Sequence, residues 1–409
     1  MLDPGRTVAE LRELQERTGN ENGAQRVAWT ETWQQAREWL SGKLAGTGAE
    51  ETIDAAGNQW FTLAGYSERA LLIGGHLDSV PNGGWLDGAL NVMAGAEVLR
   101  RIAEEGTPPV TTRLVNWADE EGARFGRSLF GSSAAAGSMS DQDELRRRKD
   151  AEGVSLPDAI ARFNVDLDTA LEARGELESA AAYLELHIEQ GPVLESMDLP
   201  LGVVLGTFGV ERHQVTFRGQ AAHAGSTPMD KRRDALAGAA RLELELKEIA
   251  SRIGGGAVCT MGGVVTKPGI VTSVVETAEC LLDQRHLDEI QLAEMLDNAK
   301  AASRRFAQEE DLEVEWERIW NIEPILFDDG LIELAEKAIS ETAGSSHRLP
   351  SGPLHDAAEV ARAGVPTVMI FVQSLLGLSH TKLEDTKEEH LELAVQALDR
   401  LAQKTAETL

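Results

Sequence analysis

The sequence predicts an α/β protein: a mostly parallel-sheet catalytic domain interrupted by an inserted α+β domain. Three observations carry this. Short apolar runs ended by glycine or by polar residues alternate with amphipathic helical runs in the first 200 residues, the pattern of a parallel sheet with covering helices. Near residue 206 the texture changes to alternating strands and two long helices. After residue 321 the first texture returns. The expected boundaries are 1–208 and 319–409 for the catalytic domain and 209–318 for the insert.

Helical spacing places helices at 8–17, 30–44 and 90–102, the first through Val8, Leu11 and Leu14, the second through Trp33, Ala36 and Leu40. Buried strands are expected at 71–75, 113–117 and 181–188. In the insert, 210–217 alternates polar and apolar and reads as a half-exposed strand. Helices follow at 235–253 and 287–307, with strands at 257–261, 279–283 and 312–316. A helix at 331–343 and an apolar strand at 367–372 complete the chain. The basic run 146–149 lies among acids and reads as a solvated helix face.

The 409 residues carry 68 acidic and 39 basic side chains, a formal net charge of −29. Such a surface repels phosphate backbones and anionic lipid, so neither nucleic acid nor membrane is an expected partner. The chain has 2 cysteines, Cys259 and Cys280, in no CxxC pattern. A reducing cytoplasm fits, and any metal must be held by histidine and carboxylate. The glycines of 254–263 do not make a dinucleotide-binding GxGxxG, and Gly131-Ser132-Ser133 lacks the second glycine of a nucleophile elbow.

Strand ends carry the chemistry. In open α/β sheets ligands bind beyond the carboxyl ends of strands. The run 71–75 leads into His76-Leu77-Asp78, and Asp87-Gly88 follows just before a helix. Alone, the His-x-Asp pair is weak evidence, and Asp87 has a helix-cap reading as well as a ligand reading. The run 113–117 leads to Asp119-Glu120-Glu121-Gly122, where adjacent acids suit either a solvated turn or a metal ligand beside a general base. The run 181–186 leads to His187, and Ser379-His380 follows the strand at 367–372. Histidines at three such ends, with acids at a fourth, are hard to explain by packing. Imidazole and carboxylate without thiolate suit a hydrolytic centre rather than a closed structural site. Which ligand would hold which ion stays open from the residues alone. His213, His286, His347 and His390 are expected at the surface or in a lid, and His355-Asp356 beside the site.

The runs GHLDSVPNGG (75–84), LDGA (86–89), EEGARF (120–125), HIEQGPVLE (187–195), HAGSTPM (223–229), His355-Asp356-Ala357 and Ser379-His380 stand in order. Together they resemble the hydantoinase/carbamoylase family of amidohydrolases, over nearly the whole chain. The resemblance implies two divalent metal ions per subunit, zinc first, with manganese, cobalt or nickel as alternatives. It implies that His76 and His187 bind one ion, Glu121 and His380 the other, and that Asp87 bridges them. It makes Glu120 the general base and has Asp78 orient His76. Gln190 would meet the substrate near the metals. His223 would reach a partner subunit's site and donate to the oxyanion, and Arg285 would grip the substrate carboxylate. A homodimer formed through the insert and a small amide substrate with a carboxylate, such as an N-carbamoyl-L-amino acid, complete the expectation. Ala222 and Thr272 stand where the family usually has asparagine, and Pro353-Leu354 where it usually has Ala-Gly, so the ligand set is intact while the substrate set is altered.

Overall fold

Short β-branched and leucine-rich runs bury on both faces only when helices cover both sides of a sheet. The computed structural model, which describes residues 1–409, builds them into a nine-stranded sheet. Its centre is four parallel strands in the order Thr367–Val372, Ala180–Ile188, Ser67–His76, Val110–Trp117. Antiparallel pairings flank them: Leu201–Thr207 on the first, Gln59–Leu63 on the last, and Glu50–Ile53 on Gln59–Leu63. Because the four central strands run the same way, their carboxyl ends open on one edge of the sheet. His76, Trp117 and His187 lie at or next to three of those ends.

The chain divides into two compact units, one of residues 1–205 and 327–409, the other of 206–326. The second boundary lies beyond the expected 318 because Glu313–Ile322 is one strand, paired along its length with Gly209–Arg218. In the first unit, helix Ala89–Glu105 is buried from Ala89 through Ile102. Helix Pro4–Thr18 and the C-terminal helix Glu388–Ala406 contact it and each other. Helix Glu31–Leu44 starts where Thr30 Oγ1 accepts the N–H of Trp33, a cap that stabilises by about 1 kcal/mol. Trp29 and Trp33 meet edge to face with centroids 4.9 Å apart, and Trp29 packs likewise on Phe130 at 5.5 Å.

The 206–326 unit has a four-stranded antiparallel sheet in the order Val258–Lys267, Thr277–His286, Gly209–Arg218, Glu313–Ile322. Along Thr277–His286 buried residues alternate with more exposed ones, the period of a half-covered sheet. Ala278, Cys280 and Leu282 point to the face that helices Ala235–Ile253 and Glu289–Glu309 cover with Leu242, Leu246, Met295 and Phe306.

Three expectations need correction. Arg146 to Lys149 form no helix face: the helix there is only Gln142–Leu145, and Arg146 pairs with Asp168 and Arg148 with Glu144. His390 is buried rather than exposed and His347 is half-buried, while His213 and His286 are buried inside the inserted 206–326 unit. In the insert, the strand expected at 257–261 runs through Val258–Lys267. No helix is long and apolar enough to cross a membrane.

Candidate active site

His76 ends its strand, and its position is set by the loop that follows. Its Nδ1 lies 3.0 Å from the backbone carbonyl of Asp78, while the Asp78 carboxylate is farther, at 3.7 Å. The expected orienting carboxylate is therefore used elsewhere: Asp78 Oδ1 and Oδ2 accept the N–H groups of Glu120 and Glu121 at 3.3 and 3.1 Å. Asp78 thus ties the His76 strand end to the acid pair. His187 repeats the first arrangement, with Nδ1 2.9 Å from the carbonyl of Ile188. In both rings a carbonyl partner makes Nδ1 a protonated nitrogen and turns Nε2 towards the carboxylates.

Asp87 does not cap the helix behind it. Gly88 is the N-cap, at φ +64°, and a Cβ there would stand 2.3 Å from the His76 ring, so only glycine fits. The Asp87 carboxylate instead receives the side chains of Gln190 and Ser379, each at 2.9 Å on Oδ2. His187 Nε2 stands 3.1 Å from Asp87 Oδ1, and His380 Nε2 lies 3.5 Å from Asp87 Oδ2 and 3.4 Å from Glu121 Oε2. Two three-donor groups result, His76–Asp87–His187 and Asp87–Glu121–His380, each with ligand atoms within 4.8 Å of one another and with Asp87 in common. Glu120 belongs to neither. Its Oε2 is 3.7 Å from His76 Nε2, beside the first group.

These residues fit a cation centre. Glu121 Oε1 is buried without a hydrogen-bond partner, and imidazole nitrogens and carboxylate oxygens gathered within 3.1 to 3.5 Å of one another suit a cation between them. Without cations the site is electrostatically strained. Burial, with Asp356, Glu121, Asp78 and Asp87 nearby, raises the Glu120 carboxyl well above its usual range. Burial and the Asp87 charge do the same to Glu121. Burial lowers His76 to about 4. Burial opposes the charged form of His187, yet the Asp87 carboxylate prevails and lifts it to about 9.

A model of Peptidase family M20/M25/M40 matches residues 72–404, which span every residue of this cluster. The chain belongs to that family. It is 37% identical over 377 residues to an N-carbamoyl-L-amino acid amidohydrolase of Geobacillus stearothermophilus, covering 90% of each chain. It is 32% identical over 380 residues to an allantoate amidohydrolase of Escherichia coli K12, covering 92% of this chain and 91% of that one. An amidase of the hydantoinase/carbamoylase family from Burkholderia multivorans superposes with a TM-score of 0.89 at 30% identity, covering 99% and 98% of the two chains.

Glu384 and Arg26 of this M20 amidohydrolase were invisible as site residues in the sequence. One oxygen of Glu384 accepts the N–H groups of Leu86 and Asp87, each at 3.0 Å, and fills space beside Gly84 where a Cβ would stand 2.0 Å from its carboxyl carbon. Its place four residues after His380 was the available signal. His355, expected beside the site, packs its ring 4.4 Å from that of His187. Its neighbour Asp356 is fully buried. Arg26 lies buried behind the His76 loop.

In the 206–326 unit, His223 is exposed and pairs in a two-stranded ladder with Ser273. Thr272 is held beside it, its carbonyl accepting the Ala224 N–H at 2.9 Å. The fold thus brings His223 and Thr272 together. Arg285 lies on strand Thr277–His286, its Nε bonded to Asp283 at 2.7 Å.

Proposed function

We propose that the protein hydrolyses the linear C–N amide bond of an N-carbamoyl-L-amino acid or related ureido acid, using two divalent cations. The observation that carries this is the pair of three-donor groups sharing Asp87, with Glu120 beside them and in neither. The 37% identity to an N-carbamoyl-L-amino acid amidohydrolase supports the substrate class. The 32% identity to an allantoate amidohydrolase makes allantoate the second candidate.

His76 and His187 would hold one cation and Glu121 and His380 the other, with Asp87 common to both donor groups. Bound divalent cations supply Lewis acidity and bring the pKa of a water down towards roughly 7. Zinc is the first choice for this donor set, with manganese, cobalt or nickel as alternatives. Glu120 takes the proton of the attacking water on its carboxylate, as oxygen bonds to the ureido carbon. Its raised proton affinity suits it to hold that proton and then release it to the leaving nitrogen as the C–N bond breaks. One water is consumed. The products are the free amino acid and carbamic acid, which decays to ammonia and carbon dioxide.

Gln190, whose amide donates to Asp87 and Ser379, meets the substrate near the cations. Arg285 binds the substrate carboxylate as a planar fork, Thr272 lines the same subsite, and His223 donates to the oxyanion in the site of a second copy, in a cytoplasmic homodimer built through the insert. The test is turnover of chelator-treated enzyme reloaded with zinc, manganese, cobalt or nickel. The panel holds N-carbamoyl-L-amino acids, N-carbamoyl-β-alanine, allantoate, N-acyl amino acids and dipeptides. Metal-dependent release of ammonia and free amino acid from a carbamoyl compound is expected. Cleavage confined to N-acyl amino acids or dipeptides would overturn the substrate class and leave the cation chemistry standing.

A further inference from the structure

Arg26 is fully buried, in the irregular segment that precedes helix Glu31–Leu44. Its Nε donates to the carbonyl of Leu77 at 2.8 Å, its Nη1 reaches Thr18 Oγ1 at 3.4 Å, and its Nη2 has no partner. No carboxylate lies within ion-pair distance. The buried Arg100 and Arg101 behave differently, meeting Glu10 at 2.9 Å and Asp399 at 2.7 Å. A buried, unpaired charge costs several kcal/mol, and a neutral side chain of similar volume would avoid that cost.

The surroundings show what offsets it. The segment is stitched to the loop that runs from His76 to Asp87: Arg26 N donates to Ser79 Oγ at 3.1 Å, Ser79 N to Arg26 O at 3.0 Å, and Ala24 N to Gly83 O at 2.9 Å. The bonds of Arg26 to Leu77 and Ser79 fall on either side of Asp78, and Asp78 and Asp87 of that loop, with Glu384 and Glu121, are the four carboxylates whose charge acts on the guanidinium. In a poorly polarisable interior such interactions extend beyond contact distance. Burial lowers Arg26 to about 10, which leaves it charged at neutral pH.

We infer that Arg26 is a positioning residue for the cation centre: its fixed buried charge holds the Glu384, Asp78, Asp87 and Glu121 carboxylates together when cations are absent. The inference rests on the metal reading of the cluster. It makes Arg26 a partial substitute for the cations, so its loss weakens the empty site more than the loaded one. By linkage, an empty state destabilised more than the loaded state binds the cation more tightly.

The experiment compares thermal unfolding of wild type, Arg26→Gln and Arg26→Lys, each chelator-treated and each loaded with zinc. Glutamine keeps a donor for the Leu77 carbonyl and removes the charge; lysine keeps the charge. The metal-free Arg26→Gln protein is expected to lose far more Tm than its zinc-loaded form. Its apparent zinc affinity, read by chelator competition, is expected to rise about tenfold. Arg26→Lys should keep a gap between loaded and metal-free Tm close to that of wild type. Equal losses in the metal-free and loaded forms of Arg26→Gln would overturn the inference and make Arg26 a packing residue. If Arg26→Gln does not accumulate folded, refolding with and without zinc decides: recovery with zinc alone supports the role, and equal failure in both overturns it. A wild type whose Tm does not respond to zinc, manganese, cobalt or nickel would overturn the metal reading first, and this role with it.

Discussion

Glu384 holds Asp87 through the main chain: a single Glu384 oxygen accepts the N–H groups of Leu86 and Asp87, each at 3.0 Å. The other oxygen lies 3.3 Å from Ser379 Oγ, which also donates to Asp87 Oδ2. The shared carboxylate and the His380 loop are thus braced by one side chain. Glu384→Ala should remove both supports and weaken cation binding by about 10- to 100-fold, the usual cost of losing a group that orients a ligand. Glu384→Gln retains an acceptor and should lose less. Chelator competition measures both, and equal wild-type affinity in Glu384→Ala would exclude the bracing role.

Glu120→Gln should separate cation binding from turnover. Glu120 lies outside both donor groups, so two cations per chain should still bind. The amide cannot accept the water's proton, and general-base assistance is worth roughly 10²- to 10⁴-fold. Metal content by elemental analysis, set against kcat on the responsive substrate, checks this. Loss of metal in step with loss of kcat would instead make Glu120 a ligand.

The His76 and His187 strand ends were legible because each apolar run is cut off by the candidate ligand, as at Gly75-His76 and Leu186-His187, while Glu120 and His380 come later, in the loops after Trp117 and Val372. Glu384 and Arg26 were not, because each acts on a loop far from it in the sequence and neither charge differs in pattern from a surface one. The strand Glu50–Ile53 was equally hidden: all four residues are exposed at the sheet edge, so no burial period marks it. Helix Glu388–Ala406 does carry a buried stripe through Leu391, Ala394, Val395 and Leu398, a signal present but unread. Burial of a histidine leaves little trace in a sequence because imidazole packs as a flat ring. His213 lies 5.5 Å from the Trp316 ring and turns its Nε2 to Glu211 at 2.8 Å.

The metal-free protein should lose stability as pH rises. Burial raises the Asp78 carboxyl to about 7, and burial with the Asp87 charge raises that of Glu384 to about 7. In the unfolded chain such groups titrate near 4. Between roughly pH 4 and 7 the folded state therefore holds protons that the unfolded state has released. The stabilisation is full below about pH 4 and disappears as pH passes 7. Denaturant midpoints of chelator-treated protein should fall across this window by an amount that corresponds to a few kcal/mol. Loading the site with cations should flatten the fall, because the carboxylates then ionise against positive charge. An identical slope with and without metal would refute the assignment of the slope to this cluster.

Gly88→Ala tests the geometry from the backbone side. Gly88 has φ +64°, and an added Cβ would meet the His76 ring at 2.3 Å. The backbone conformation alone disfavours alanine by about 1–3 kcal/mol. The collision adds to this and has a direction: the imidazole must move away from Asp87 and His187, the other donors of its group. One of the two cations should therefore bind at least tenfold more weakly, while the Asp87–Glu121–His380 group, which does not include His76, keeps its own. Titration of the apo-protein by calorimetry should resolve one weakened and one retained site. Equal weakening of both would mean that Gly88 serves the Asp87 bridge rather than His76.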